Sequence, residues 1–206
     1  MHIQKLKHFL FLQTIITELY IGAGLSGVFE PLPTQQECLK YYKIIENEGS
    51  IDIRSLHTYV TSNLLCSFLH NLSDCLLCAH LYEDWVEASM IRNDKERIDK
   101  ILTLCQKLPK QNYALLQHIL MIFKTIHYSF CGGDVLYNSY DLAFFVGHHM
   151  LWPTHPCKKR PQGTAFREKD LHIVRTNRNV CKVILCLIKD TNSIINIWDF
   201  IDFTEL

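Results

Sequence analysis

Leu64-Leu65-Cys66-Ser67-Phe68-Leu69-His70-Asn71-Leu72-Ser73-Asp74-Cys75-Leu76-Leu77 is the stretch that decides the fold. Its first half continues a four-residue repeat, Leu56, Val60, Leu64, Phe68 and Leu72, flanked by Leu65 and Leu69. Side chains four apart stand one above another on a helix, so the repeat predicts a central, buried helix. The same period runs upstream. Phe9, Leu12, Ile16, Leu19 and Tyr20 predict a helix over residues 7–20 that ends at Gly22-Ala23-Gly24, where glycine leaves helical geometry readily. Pro31 and Pro33 keep the next stretch extended. Thr34 and Glu37 then have capping-box spacing, opening a second helix with Leu39, Tyr42 and Ile45 on its apolar face and Gly49 at its stop.

Downstream the period persists. Leu81, Tyr82, Trp85 and Val86 line one helix, and Ile98, Ile101, Leu102 and Cys105 line a short one closed by Leu108-Pro109, because the residue before proline is pushed out of helical geometry. Leu115, Leu116, Ile119, Ile122, Phe123 and Ile126 predict a long helix broken at Gly132-Gly133. Residues 138–150 carry a weaker helical pattern, and Val174, Val180, Val183, Ile184, Leu187 and Ile188 mark a last packed helix. Between them, residues 152–168 hold three prolines, Gly163 and the basic run Lys158-Lys159-Arg160. That is the chemistry of a mobile, solvated loop. Residues 191–206 form a tail whose pattern from Ser193 onward fits helix, strand or a frayed end. Nothing marks an internal linker. The expectation is one all-α domain of about eight helices over residues 1–206.

Composition excludes more than it selects. The chain has 206 residues, of which 48% are apolar, and 21 basic side chains balance 21 acidic ones. Bulk charge therefore gives no argument for nucleic acid or a membrane surface as partner. Nine cysteines at irregular spacing, several inside apolar runs, fit reduced thiols packed as small hydrophobes rather than a disulfide framework. Lys5 and Lys7 before Phe9-Leu10-Phe11-Leu12 imitate a secretory leader, but Gln13 and Glu18 interrupt the apolar run. A cytoplasmic location is expected. Cys75-Leu76-Leu77-Cys78 has zinc-knuckle spacing, yet no second pair or Cys/His partner at ligand spacing follows, so no metal is expected. His148-His149 with Asp141 suggests acid–base chemistry less than a solvated helix end. No glycine-rich phosphate loop of the Walker type is present, so the chain itself is not expected to bind a nucleotide, and no cofactor is implied.

Four motifs carry a resemblance. Ile16-x-x-Leu19-Tyr20-x-Gly22 ahead of Gly27-Val28-Phe29, the run Leu64 to Leu77, Leu108-Pro109-x-x-Asn112-x-x-Leu115-Leu116, and Leu142-Ala143 followed by Met150-Leu151-Trp152-Pro153 occur in this order. Together they resemble the landmarks of Rho-type GTPase-activating (Rho-GAP) domains over residues 9–190. Leu81-Tyr82-Glu83-Asp84-Trp85 and the Leu-Trp-Pro ending are most similar to the T-cell-activation Rho-GAP subfamily. The resemblance implies an all-α fold and a GTP-bound Rho-family small GTPase as partner, with membrane contact only through that partner.

The same resemblance identifies what has changed. In the family the glycine-hydrophobic-phenylalanine step precedes an arginine finger, which neutralises charge developing on the transferring phosphoryl group. Here that position is Glu30, and no arginine lies between residues 1 and 53. The family's lysine in Leu-Leu-Lys corresponds to Cys66, and its arginine in Phe-Leu-Arg to His70. Its asparagine before Leu-Ala corresponds to Asp141. One helical turn apart, Cys66 and His70 are expected on one face. These replacements imply a docking face that is neutral or acidic where the partner presents an acidic, nucleotide-loaded surface. The expectation is a Rho-GAP-like regulator with weak or absent activation. The alternative is an interaction or scaffold protein that keeps the fold and no longer meets GTPases.

Overall fold

The structure, a computed structural model, describes residues 14–19, 58–129, 139–153 and 166–195. Every regular element among the described residues is helical. Residues 14–19 are helical and bury Ile15, Ile16 and Leu19. Then come α1 (Thr58–His70), a single 3-10 turn (Ala79–Leu81), α2 (Tyr82–Met90), α3 (Asp94–Lys107), α4 (Lys110–Ser129), α5 (Ser139–Met150), α6 (Phe166–Lys189) and the short α7 (Thr191–Ile194). The helix expected from Thr34, the finger loop, the Gly132-Gly133 break, residues 154–165 with the basic run, and residues 196–206 lie outside the described residues.

Two helices are longer than their apolar stripes. α3 begins at Asp94, ahead of Ile98, because the Asn93 side chain accepts the Glu96 N–H at 3.1 Å and satisfies an orphan donor. Asp94 and Glu96 then place negative charge in its first turn, against the positive end of the helix. It stops at Leu108, extended with ψ 147° ahead of Pro109. α6 likewise starts at Phe166, well before the stripe of Val180, Val183, Ile184 and Leu187 that it buries.

α6 organises the packing. It lies most extensively along α5 and also touches α2, α4 and α7, while α1 packs against α5. The approach of α5 to α6 is set at Gly147, where a Cβ would meet Val180 Cγ1 at 3.1 Å and Ile184 Cγ1 at 3.2 Å. Glycine costs a helix about 1 kcal/mol relative to alanine. Forcing extra volume into a packed interface typically costs about 1–3 kcal/mol, so close approach favours glycine here.

The segment after α1 is buried yet irregular: Cys75 to Ala79 are all buried, with Cys78 at φ 60°. Its backbone groups are satisfied from several directions. The Asp74 Oδ1 accepts the N–H groups of Cys75 (2.7 Å) and Ala79 (3.0 Å). The Leu76 carbonyl accepts from Asn112 Nδ2 at 2.8 Å, and the Leu77 carbonyl from the indole N–H of Trp85 at 2.9 Å. The Leu77 N–H donates to the Met150 carbonyl at 3.1 Å. One short segment thereby joins the start of α4, the middle of α2 and the end of α5.

A second tie closes the far end. Arg97 and Asp190, 5% and 6% exposed, form a two-pronged pair with Nε–Oδ2 at 3.0 Å and Nη2–Oδ1 at 3.1 Å. Arg97 Nη1 also reaches Asp94, which Lys189 meets at 3.1 Å. Thr191, Ile194 and Ile195 are buried beyond it, and the Tyr113 hydroxyl donates to the Ile194 carbonyl at 2.8 Å. The first residues of the tail are therefore core. Among the described residues no helix is long and apolar enough to cross a membrane.

Two predictions follow from these ties. Asn112→Ala leaves the Leu76 carbonyl without its donor and should lower unfolding free energy by about 1–3 kcal/mol. Asp190→Ala strands a buried guanidinium and should cost more, about 3 kcal/mol, the low end for a broken buried pair because Asp94 still contacts Arg97. Urea unfolding of both variants measures this; an unchanged midpoint for Asp190→Ala would mean the pair contributes nothing.

Burial also sets a pH dependence. Burial pushes His118 down to about 4 and, with help from His148 and His70, does the same to His149. Unfolded histidine titrates near 6.5, so between about 6.5 and 4 the unfolded chain binds more protons than the native one. Stability should fall as pH drops through that window, by up to about 1.4 kcal/mol per pH unit for each group and less where water still reaches the rings. Asp94, lowered by hydrogen bonding to Arg97 and then Lys189, acts in the same direction at lower pH: its contribution is present above the ordinary carboxylate range and is lost as pH falls through and below it. Urea midpoints at pH 7 and pH 5 test the histidine window. The decline should shrink in His118→Gln/His149→Gln, and an equally steep decline there would reject the assignment.

Candidate functional site

Cys66 and His70 stand one turn apart near the end of α1, and both are directed toward the end of α5. The ring of His70 meets His149 edge-on, with centroids 5.6 Å apart and planes at 87°, and lies tilted against Trp152 at 6.5 Å. His70 is exposed, whereas Cys66 is only 8% exposed. The last turns of α1 and α5 therefore meet. The hydrogen bond from Leu77 to Met150 holds that arrangement just beyond both helix ends.

Between α1, α5 and α6 is a cleft of about 440 Å³. Cys66 and Asn63 form one wall, Phe144, Phe145, His148 and His149 another, and Asn177, Val180 and Cys181 a third. Among the described residues its lining contains no lysine, arginine, aspartate or glutamate. His149 has its Nδ1 buried without a hydrogen-bond partner and packs 3.8 Å from the ring of His148. Its lowered pKa keeps it neutral at pH 7. The His148 Nδ1 lies 3.3 Å from the Phe144 carbonyl. The cleft can hold an apolar or aromatic group against amide, thiol and imidazole groups. It offers no cation for a phosphate.

Asp141 sits elsewhere. It lies half-buried in the first turn of α5, while His148 and His149 lie in the last. Eight residues of helix separate Asp141 from His149 by roughly 12 Å, so the three do not form an acid–base group. A carboxylate at the start of a helix is favoured by the helix dipole. Beside it on α5, Tyr140 and Phe144 are exposed, at 70% and 63%. Glu30 lies outside the described residues.

Sequence reasoning missed two neighbours. The contact of His149 and Trp152 with His70 joins residues far apart in the chain, and no spacing rule reports it. The other was visible: Cys78-Ala79-His80 places a histidine two residues after the second cysteine. The expectation that the two cysteines have no ligand partner therefore needs correction. Asp74, Cys78 and His80 bring ligand atoms within 4.8 Å of one another. Cys75 is outside that group; its Sγ donates to the Trp152 carbonyl at 3.9 Å, and burial pushes its thiol up to about 12.

Comparison with known proteins agrees with this architecture. The pattern of the RhoGAP domain matches residues 11–155. The human T-cell activation Rho GTPase-activating protein is 24% identical over 142 residues, covering 68% of this chain and 19% of its own length. Human Rho GTPase-activating protein 20 is 23% identical over 141 residues, covering 68% of this chain and 12% of its own. The chain thus spans a fifth or less of these curated relatives. Among solved structures, human Rho GTPase activating protein 15 superposes with a TM-score of 0.71 at 17% identity, covering 90% of this chain and 83% of that one. The BH domain from Graf, the GTPase regulator associated with focal adhesion kinase, gives 0.69 at 16% identity, covering 89% and 93%. At those identities the structures speak for the fold, and the sequence pattern, spanning more than half of the chain, decides the family. With an all-α core assembled by the motifs that the pattern describes, this chain belongs to the RhoGAP domain family.

Proposed function

We propose that the chain is a cytoplasmic regulator of Rho-family small GTPases that docks on the GTP-bound form and activates hydrolysis weakly or not at all. Its docking face carries Glu30, Cys66, His70 and Asp141. Membership of the RhoGAP family, and relatives named as Rho GTPase-activating proteins, support the partner class. The observation that carries the reading of weak activation is the make-up of the cleft. Where the resemblance places a lysine stands Cys66, 8% exposed, in a lining that has no lysine or arginine among the described residues.

Charge arithmetic turns this into a rate. An arginine finger contributes on the order of 10³–10⁵ in rate, or about 4–7 kcal/mol of barrier. The Glu30 carboxylate, when ionised, has no donor to offer and is repelled by a triphosphate. His149, close to His70, stays neutral and does not replace the lost cations. Exposed Tyr140 and Phe144 on α5 favour a retained protein contact, aromatic side chains being enriched at interface centres. A cleft lined without lysine or arginine among the described residues favours a second reading, an interaction protein that keeps the fold without GTPase binding.

Single-turnover GTP hydrolysis by Rho-, Rac- and Cdc42-type proteins should rise less than about tenfold with this chain, against the 10³–10⁵ of a working finger. A thousandfold acceleration would refute the proposal. Retention of a GTPase held in a transition-state analogue at micromolar protein separates the two readings, since the scaffold reading expects none.

Restoring the charges gives the converse test. Glu30→Arg should produce measurable activation, and adding Cys66→Lys and His70→Arg should increase it. Although Cys66 is buried, it lines the cleft, so a lysine stem can run along that wall and place its ammonium in water. A folded triple variant that neither binds nor activates would place the finger elsewhere.

A further inference from the structure

We propose that Asp74, Cys78 and His80 form a binding site for a divalent transition metal, with zinc the best match. Their carboxylate, thiol and imidazole ligand atoms all lie within 4.8 Å of one another. Sulfur, nitrogen and oxygen donors together suit zinc or cobalt; calcium and magnesium require oxygen donors. Three protein ligands leave the fourth tetrahedral position to water. With zinc bonds of about 2.0–2.3 Å, tetrahedral ligands stand roughly 3.3–3.8 Å apart. The observed group needs to contract by about 1.5 Å at most to reach that spacing. The exposed His80 side chain is free to supply the movement.

The other two ligands are already held. Two backbone N–H groups fix the Asp74 carboxylate through Oδ1. Asn112 Nδ2 lies 3.9 Å from the Cys78 Sγ while donating to the Leu76 carbonyl, so it orients the sulfur from outside the ligand set. Cys78 also starts the 3-10 turn that carries His80, through the Leu81 N–H to Cys78 carbonyl bond at 2.9 Å. Coordination replaces the thiol proton by the metal, and the proton leaves to solvent. Bound metal would then clamp the irregular segment that joins α1, α2, α4 and α5. This site is separate from the cleft, so its failure leaves the GTPase proposal standing.

Titration of the intact, reduced chain with Co²⁺ tests the site. We expect one cobalt per chain, with visible bands of a tetrahedral ion and a near-ultraviolet thiolate charge-transfer band, both displaced by Zn²⁺. Cys78→Ser should abolish the charge-transfer band, His80→Ala should weaken binding at least tenfold, and Cys75→Ser should change neither. Because His80 is exposed, His80→Ala keeps the test decisive even if Cys78→Ser does not fold. Zn²⁺ should also raise the Tm of the native chain and leave that of His80→Ala unmoved. Absence of stoichiometric binding at micromolar metal, equal affinity in His80→Ala, or a thiolate band that persists in Cys78→Ser would each overturn the proposal.

Discussion

A buried stretch of chain without regular secondary structure is the constraint around which this fold is arranged. Each backbone N–H and C=O withdrawn from water must find a partner or cost about 1–3 kcal/mol. From Cys75 to Ala79 the chain runs through the core outside any α-helix. Its partners therefore come from elsewhere: the Asp74 carboxylate, the Asn112 amide, the Trp85 indole and the Met150 carbonyl. Satisfying this segment fixes the relative positions of α1, α2, α4 and α5. Helix packing by apolar stripes alone tolerates sliding; hydrogen bonds with defined directions do not.

This explains why the family is recognisable in the chain, since its motifs supply the partners of one buried segment. Asn112 in Leu108-Pro109-x-x-Asn112, Leu76-Leu77, and Met150 in Met150-Leu151-Trp152 are the residues that meet at the segment. They serve the scaffold. Cys66, by contrast, lines the cleft while belonging to the buried core, and His70 is exposed. The thiol of Cys66 even suits its 8% exposure better than an ammonium, which resists desolvation. The proposed docking residues are thus distinct from those that satisfy the buried segment.

The other end of the domain uses charge where this end uses amides. Arg97 and Asp190 are buried together with two hydrogen bonds between them. A buried pair of this kind adds little over well-packed apolar residues, but it penalises any arrangement that separates the partners. It thereby sets the register of α3 against the α6–α7 junction, as Gly147 sets the distance between α5 and α6.

The sequence by itself determined the helices and their faces, because burial of an apolar stripe writes its period into the chain: Leu64, Leu65 and Leu69 in α1 and Val183, Ile184 and Leu187 in α6 were all legible. Helix ends were less so. The polar first turns of α3 and α6 carry no apolar period, and only the Asn93 cap marks the former. The replacements at residues 30, 66, 70 and 141 were legible as residue types, through resemblance. Only the tertiary structure decided their surroundings: that His70 faces His149 and Trp152, that Asp141 stands at the opposite end of α5, and that Asp74 and His80 gather around Cys78 while Cys75 is tied to Trp152. Local periodicity records which side of an element avoids water; it holds no information on which distant side chain, brought by another helix, fills the space beyond.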